Sequence, residues 1–126
     1  MGLNILIVDD SALTRKAIQR IIGMLDLEVE EVFETEDGLE AIKLMNGSHK
    51  IDFILADLNM PKMSGIEMIY AMRGNEATKS IPVAIVSTES NTTRIEKLLA
   101  DGVTDYLHKP FTPEQIRDLL FRTIGV

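Results

Sequence analysis

Residues 3–25, LNILIVDDSALTRKAIQRIIGML, decide how the whole chain is read. Residues 3–8 are almost uninterruptedly apolar and show no alternation, the pattern of a strand buried on both faces. Two aspartates then stop the run. From residue 12 the period becomes helical, with Leu13, Ala17, Ile18, Ile21, Ile22 and Leu25 predicted on one stripe of a helix over 12–25. A buried strand passing straight into an amphipathic helix is the first half of a βαβ unit, whose strand needs parallel neighbours joined by crossovers.

The alternation recurs to the end of the chain. Residues 28–34 make a poorer strand in which acidic residues outnumber apolar ones, so they are expected at a sheet edge, where charge discourages mispairing. A helix over 39–45 stops at Asn46-Gly47, and a strand over 51–56 delivers Asp57 at its C-terminal end. Ser64-Gly65-Ile66-Glu67 has the form of a capping box and starts a helix expected to carry Ile66, Ile69, Tyr70 and Met72 on its stripe. Pro82 opens a strand over 83–86, and a helix over 91–100 closes at Gly102 in the left-handed position. The last strand, 105–108, is broken by Lys109-Pro110. Thr112-Pro113-Glu114-Gln115 then joins a capping box to a proline at the first helical position. In that last helix Ile116, Leu119, Leu120 and Ile124 share one arc. Five strands alternating with helices predict an α/β fold with an open, doubly wound parallel sheet, because such crossovers are right-handed.

A length of 126 residues fits one domain spanning 1–126, with no output domain expected. Thirteen basic residues against twenty acidic ones give a formal charge of -7, the wrong sign for neutralising phosphates, which argues against direct nucleic-acid binding. The chain has no cysteine, which removes disulfides, thiolate metal sites and thiol catalysis and suits a cytoplasmic setting. The first apolar run is cut short by Asp9 and lacks both the length and the basic start of a signal peptide, so no membrane insertion is expected.

Ligands of open α/β sheets bind beyond the carboxyl ends of the strands, and this chain places Asp9, Asp10, Asp57, Ser87 and Lys109 there. Three carboxylates on one rim repel one another unless a cation joins them. With only oxygen ligands and a shallow rim, that cation is expected to be Mg²⁺, with Mn²⁺ as the substitute, whereas zinc would want histidine or cysteine. An aspartate can also attack phosphorus and form an acyl phosphate if the charge growing on the phosphoryl oxygens is neutralised. Asp57 is the candidate nucleophile, with Lys109 as the cation and the Ser87 hydroxyl as a hydrogen-bond donor.

On these residues the sequence resembles the receiver domains of two-component response regulators over essentially its whole length. The resemblance is carried by VDDS at 8–11, LADLNMPKMSG at 55–65, IVST at 85–88 and DYLHKPF at 105–111. Within that family it is most similar to the stand-alone chemotaxis type, through Asn59, Glu89 and Tyr106. The resemblance implies a flavodoxin-like sheet in strand order 2-1-3-4-5. It also implies that Asp57 takes phosphoryl from a histidine kinase, that Asp10 and Asp57 ligate Mg²⁺ directly, and that Asp9 acts through water. The backbone carbonyl of Asn59 would complete the protein ligands. Ser87 and Lys109 would contact the phosphoryl group, Tyr106 would swing inward as Ser87 moves, and Lys109-Pro110 would be cis. Asn59, Thr88 and Glu89 would tune the rate. Thr88 stands where the family usually has alanine, so small phosphodonors and hydrolytic water should find the pocket more restricted. Ser87 replaces the commoner threonine.

The implied partners are a kinase, a downstream protein such as a flagellar motor switch or another relay protein, and a phosphatase. The domain would serve its own phosphorylation and dephosphorylation without being a turnover enzyme. Phosphorelay intermediate and phosphate sink are alternatives inside the class. Outside it, a haloacid-type phosphatase shares the aspartyl phosphate but wants a DxD after the first strand. A flavodoxin-like carrier would need a hydroxyl- and glycine-rich loop where Asp9-Asp10 stands, and a nucleotide hydrolase would need GxxxxGK[ST].

Overall fold

The computed structural model describes residues 2–47 and 49–124; residues 1, 48, 125 and 126 lie outside the described set. The elements run β1 Leu3–Val8, α1 Ala12–Met24, β2 Val29–Thr35, α2 Gly38–Met45, β3 Phe53–Ala56, α3 Gly65–Arg73, β4 Val83–Ser87, α4 Thr92–Ala100, β5 Asp105–His108 and α5 Pro113–Ile124. All strand pairs are parallel and the sheet order is β2-β1-β3-β4-β5. This is the doubly wound α/β arrangement expected from the alternation, with the acidic β2 on the edge.

Strand side chains alternate between two cores. Leu6, Val8, Ile54, Ala56, Val83 and Ile85 face α2, α3 and α4, where they meet Ala41, Met45, Met68, Ile69, Met72 and Leu98. Ile5, Ile7, Phe53, Leu55, Ala84 and Val86 face α1 and α5, against Ile18, Ile21, Ile22, Ile116, Leu119 and Leu120. Burial on both faces is why the three inner strands read as continuous apolar runs.

The helix ends follow their caps. Ser64 and Glu67 exchange hydrogen bonds of 3.2 and 2.9 Å at the start of α3, and Thr112 and Gln115 do the same at α5 with 3.2 and 2.8 Å. Gly102, at φ 108°, turns the chain after α4.

Several expectations need correction. Leu13 and Ala17 are exposed, Leu13 by 82%. At about 100° per residue they lie roughly 140° and 100° from Ile18, so the buried stripe is narrower than the sequence suggested. In the first turn of α1 the inward phase belongs instead to Thr14 and Arg15. Tyr70 is likewise 55% exposed, because α3 buries Gly65, Met68, Ile69 and Met72 and leaves position 70 a further 100° or so around the helix. The third strand begins at Phe53 rather than residue 51; Ile51 is buried outside the ladder, and Asp52 exchanges hydrogen bonds with Asn4. Among the described residues no helix is long and apolar enough to cross a membrane.

Candidate phosphoryl and metal site

The C-terminal ends of β1, β3, β4 and β5 converge on one rim. The backbone N–H of Asp57 donates to the Val8 carbonyl at 2.9 Å, so the β1–β3 ladder itself carries Asp57 to the level of Asp9. From below, the N-terminus of α3 presses on the same peptide: a Cβ at Gly65 would stand 2.3 Å from the Asp57 carbonyl oxygen. Only glycine permits that approach. Gly65 N–H in turn donates to Leu58 O at 3.0 Å, which ties the helix start to the strand end.

One carboxylate oxygen from each of Asp9, Asp10 and Asp57 lies within 4.8 Å of the others. Asp9 is buried, Asp10 is exposed, and the Asp57 side chain is 12% exposed. Charges this close repel by about 3–4 kcal/mol per pair at the effective dielectric of a protein rim. The rim answers with Lys109, whose Nζ lies 2.8 Å from Asp9 Oδ2 and 3.4 Å from Asp57 Oδ2. Asp9 Oδ1 accepts from Ser11 N–H at 2.8 Å, and Asp57 Oδ1 from Leu58 N–H at 2.7 Å. Burial alone would lower the Lys109 pKa, but its hydrogen bond and charge interaction with Asp9, joined by Asp57, hold the ammonium above its ordinary range. The Lys109-Pro110 peptide is cis, as the resemblance implied.

The donor set suits a hard divalent cation: three carboxylates from two adjacent strand ends, with oxygen as the only ligand atom. Asp9, Asp10 and Asp57 would hold it. Asn59 lies two residues beyond Asp57, exposed on the rim. Ser87 is fully buried at the end of β4, where its Oγ accepts from Glu89 N–H at 3.4 Å and its carbonyl accepts from Lys109 N–H at 2.8 Å. Thr88 is exposed and lines an open cleft with Leu13, Thr14, Lys109 and Phe111. It therefore borders the lysine.

Glu89 is engaged elsewhere. Its Oε1 accepts from Arg94 Nη1 at 2.7 Å and its Oε2 from the Ser90 and Asn91 N–H groups at 3.2 and 3.4 Å, so its carboxylate is committed to the N-terminus of α4. Tyr106 packs on the core beneath α4, and its hydroxyl donates to the Glu89 carbonyl, with the Ser87 carbonyl 3.4 Å away. Burial, aided by the charges of Glu89 and Asp57, pushes the Tyr106 pKa up against the opposing effects of the Ser87 side-chain hydroxyl and the Arg94 charge.

These two groups set the sign of the alkaline limb. Both folded-state pKa values are raised, so the folded chain keeps protons that the unfolded chain releases. Their contribution to stability is complete below the ordinary values of 10.0 and 10.5 and is lost as pH rises through the raised ones. Urea midpoints in metal-free buffer are expected to fall as pH rises beyond about 10, less steeply in Tyr106→Phe. An equally steep fall in that variant would remove the tyrosine from the explanation.

The sequence reading overlooked Arg15, Glu34 and Gly65. The signal for Arg15 was present, since a charged residue sat on the inward phase of an amphipathic helix. That for Gly65 was masked by its place inside a capping box.

Residues 5–121 match the family model of the response regulator receiver domain. The chemotaxis protein CheY1 of Helicobacter pylori is 31% identical over 98% of this chain and 98% of its own length. Among solved structures, the chemotaxis response regulator CheY4 of Vibrio cholerae superposes with a TM-score of 0.86 at 32% identity, covering 98% of this chain and 99% of that one. The receiver domain of the sensor histidine kinase PA1611 from Pseudomonas aeruginosa, with a magnesium ion coordinated in its active site cleft, gives 0.84 at 26% identity over the full length of both.

Proposed function

Since this chain belongs to the response regulator receiver domain family, we propose that Asp57 accepts a phosphoryl group from a histidine kinase and that the change in charge switches a protein-binding surface, in the service of chemotaxis. The observation that carries the reading is the meeting of the Asp9, Asp10 and Asp57 carboxylates, two of which, Asp9 and Asp57, contact the Lys109 ammonium at 2.8 and 3.4 Å. Mg²⁺, or Mn²⁺ in its place, supplies charge neutralisation at the phosphoryl oxygens when bound to the three aspartates.

Each protein group then has a task. An Asp57 carboxylate oxygen attacks phosphorus in line, the P–N bond of the donor phosphohistidine breaks, and the electron pair leaves with the imidazole, which takes up a proton. Lys109 leaves its carboxylate partners for the new phosphoryl oxygens, and the Ser87 hydroxyl donates to the same group. Hydrolysis reverses the bond at Asp57: water attacks phosphorus, the P–O bond to the carboxylate breaks, and inorganic phosphate departs. The domain is thus a switch consumed and restored once per cycle rather than a turnover enzyme, acting as a soluble cytoplasmic component.

The switched surface is that of α4, β5 and α5. Tyr106 on β5 is bonded to the loop that starts α4, so a displacement of Ser87 is felt at both. A flagellar motor switch or a relay protein would dock there, and a phosphatase would act at the rim. The test is transfer from a phosphorylated histidine kinase in Mg²⁺, with mass spectrometry to locate the label. Label on Asp57 that does not form when EDTA is present from the start supports the reading. Steady hydrolysis of a phosphomonoester with no stable label would replace it by the haloacid-type phosphatase. Rapid return of phosphoryl to the kinase or onward to another histidine would mark a sink or relay.

Thr88 bears on the small donors. It lines the same open cleft as Lys109, and its extra atoms relative to alanine narrow the approach for donor and water. Acetyl phosphate is expected to label Thr88→Ala about threefold faster than the parent. Equal or slower labelling would contradict this role.

A further inference from the structure

Asp9 is 2% exposed, and a buried carbonyl at that position must find a donor. That donor is Arg15, from the first turn of α1, whose Nη1 lies 2.6 Å from the Asp9 carbonyl oxygen. The Arg15 side chain is only 12% exposed, and its Nε donates to Glu34 Oε1 on β2 at 3.0 Å. The Asp9 N–H donates to the Thr35 carbonyl at 3.1 Å, and the Asp9 carboxylate is taken by Ser11 and Lys109. Arg15 therefore holds the carbonyl side of the Asp9–Asp10 peptide. Asp10, whose carboxylate belongs to the acidic group and is exposed, hangs from that peptide.

An arginine is a costly way to satisfy one carbonyl, since a hydroxyl or a water would serve. Two features of this arginine go beyond that need. Its planar fork joins two acceptors, the Asp9 carbonyl just past β1 and the Glu34 carboxylate on β2, which restricts how the donor can turn. Glu34 also cancels its charge, so a guanidinium stands close to a cation site without adding a second positive charge to compete there.

We infer that the Arg15–Glu34 pair is a positioning element for the metal site: it fixes the Asp9–Asp10 peptide and so the direction from which the Asp10 carboxylate meets Mg²⁺. This rests on the reading of Asp9, Asp10 and Asp57 as the Mg²⁺ site. Calorimetric titration of the full chain with Mg²⁺ tests it, using the parent, Asp10→Asn, the charge-balanced double variant Arg15→Gln/Glu34→Gln, and Arg15→Lys. The double variant is expected to raise the Mg²⁺ Kd roughly tenfold, at the low end of what outer partners of metal ligands contribute. Arg15→Lys, which keeps the charge and one bond to the carbonyl, should stay within about threefold of the parent. A folded double variant with parental Kd overturns the inference, even if its thermal midpoint is lower, since a merely structural role would lower stability alike with and without Mg²⁺. Should the double variant not fold, Glu34→Gln decides. Its uncancelled guanidinium should weaken Mg²⁺ binding about threefold, and an unchanged Kd again overturns the inference. A parent that binds no Mg²⁺, or an Asp10→Asn variant that binds it equally well, defeats the metal-site reading itself.

Discussion

Asp57→Asn is expected to abolish phosphoryl incorporation while leaving the fold intact. The amide nitrogen has its lone pair delocalised into the carbonyl and the amide oxygen carries no formal charge, so the attacking group is lost rather than weakened. The surroundings need little adjustment. The amide oxygen can still accept from Leu58 N–H, and Lys109 retains its 2.8 Å partner in Asp9. One of three mutually repelling charges disappears, so the metal-free protein should be as stable as the parent or more so by about 1 kcal/mol. Intact-mass measurement after kinase or acetyl phosphate treatment reads the first effect, and urea denaturation the second. Undiminished labelling would move the nucleophile to Asp9 or Asp10 and sink the assignment.

Lys109→Met should have the largest effect on stability, and the size of that effect should depend on the metal. Methionine fills much the same volume but removes the ammonium. Asp9, 4% exposed in its side chain, is then left with only the Ser11 N–H for its charge. Breaking a buried pair by removing one partner costs roughly 3–5 kcal/mol, and because the Lys109 side chain is 18% exposed the expected loss is near about 3 kcal/mol in EDTA. Mg²⁺ no longer has to displace the lysine, so its Kd should fall about tenfold. At a hundred times the variant's Kd the ion would stabilise the variant by roughly 2.7 kcal/mol and the parent, at about ten times its own Kd, by roughly 1.4 kcal/mol, so the deficit should narrow by about 1.3 kcal/mol. Denaturant titrations with and without Mg²⁺ measure both numbers. An equal loss in the two buffers, with unchanged Mg²⁺ affinity, would show that Lys109 does not share the acidic rim with a cation.

The sites legible in the sequence were those that depend on chain order. Asp9, Asp10, Asp57, Ser87 and Lys109 could be placed on one rim because each directly follows, or ends, an apolar run, and parallel strands bring all such ends to the same edge. The capping boxes at Ser64–Glu67 and Thr112–Gln115 were equally readable, since both partners lie within one turn. The charge on residues 28–34 correctly marked an edge strand, because a strand paired on one side only tolerates acidic neighbours.

Other features took shape only in three dimensions. Helical period gives the angles between residues of one helix but not how far that helix overhangs the sheet. Leu13, Ala17 and Tyr70 therefore read as core and proved exposed, while Arg15 turned inward. The resemblance implied a rate-tuning role for Glu89 but not the partner of its side chain. Arg94, one turn into α4, is what binds its carboxylate at 2.7 Å. The Arg15–Glu34 pair joins residues nineteen positions apart on different elements, and Lys109 meets Asp9 across a separation of one hundred. By itself the sequence determined the order of the elements and which residues end the strands, because hydrophobic period and capping are local. Only the tertiary structure decided which charges pair and which helix faces are covered, because those choices depend on how separate elements pack.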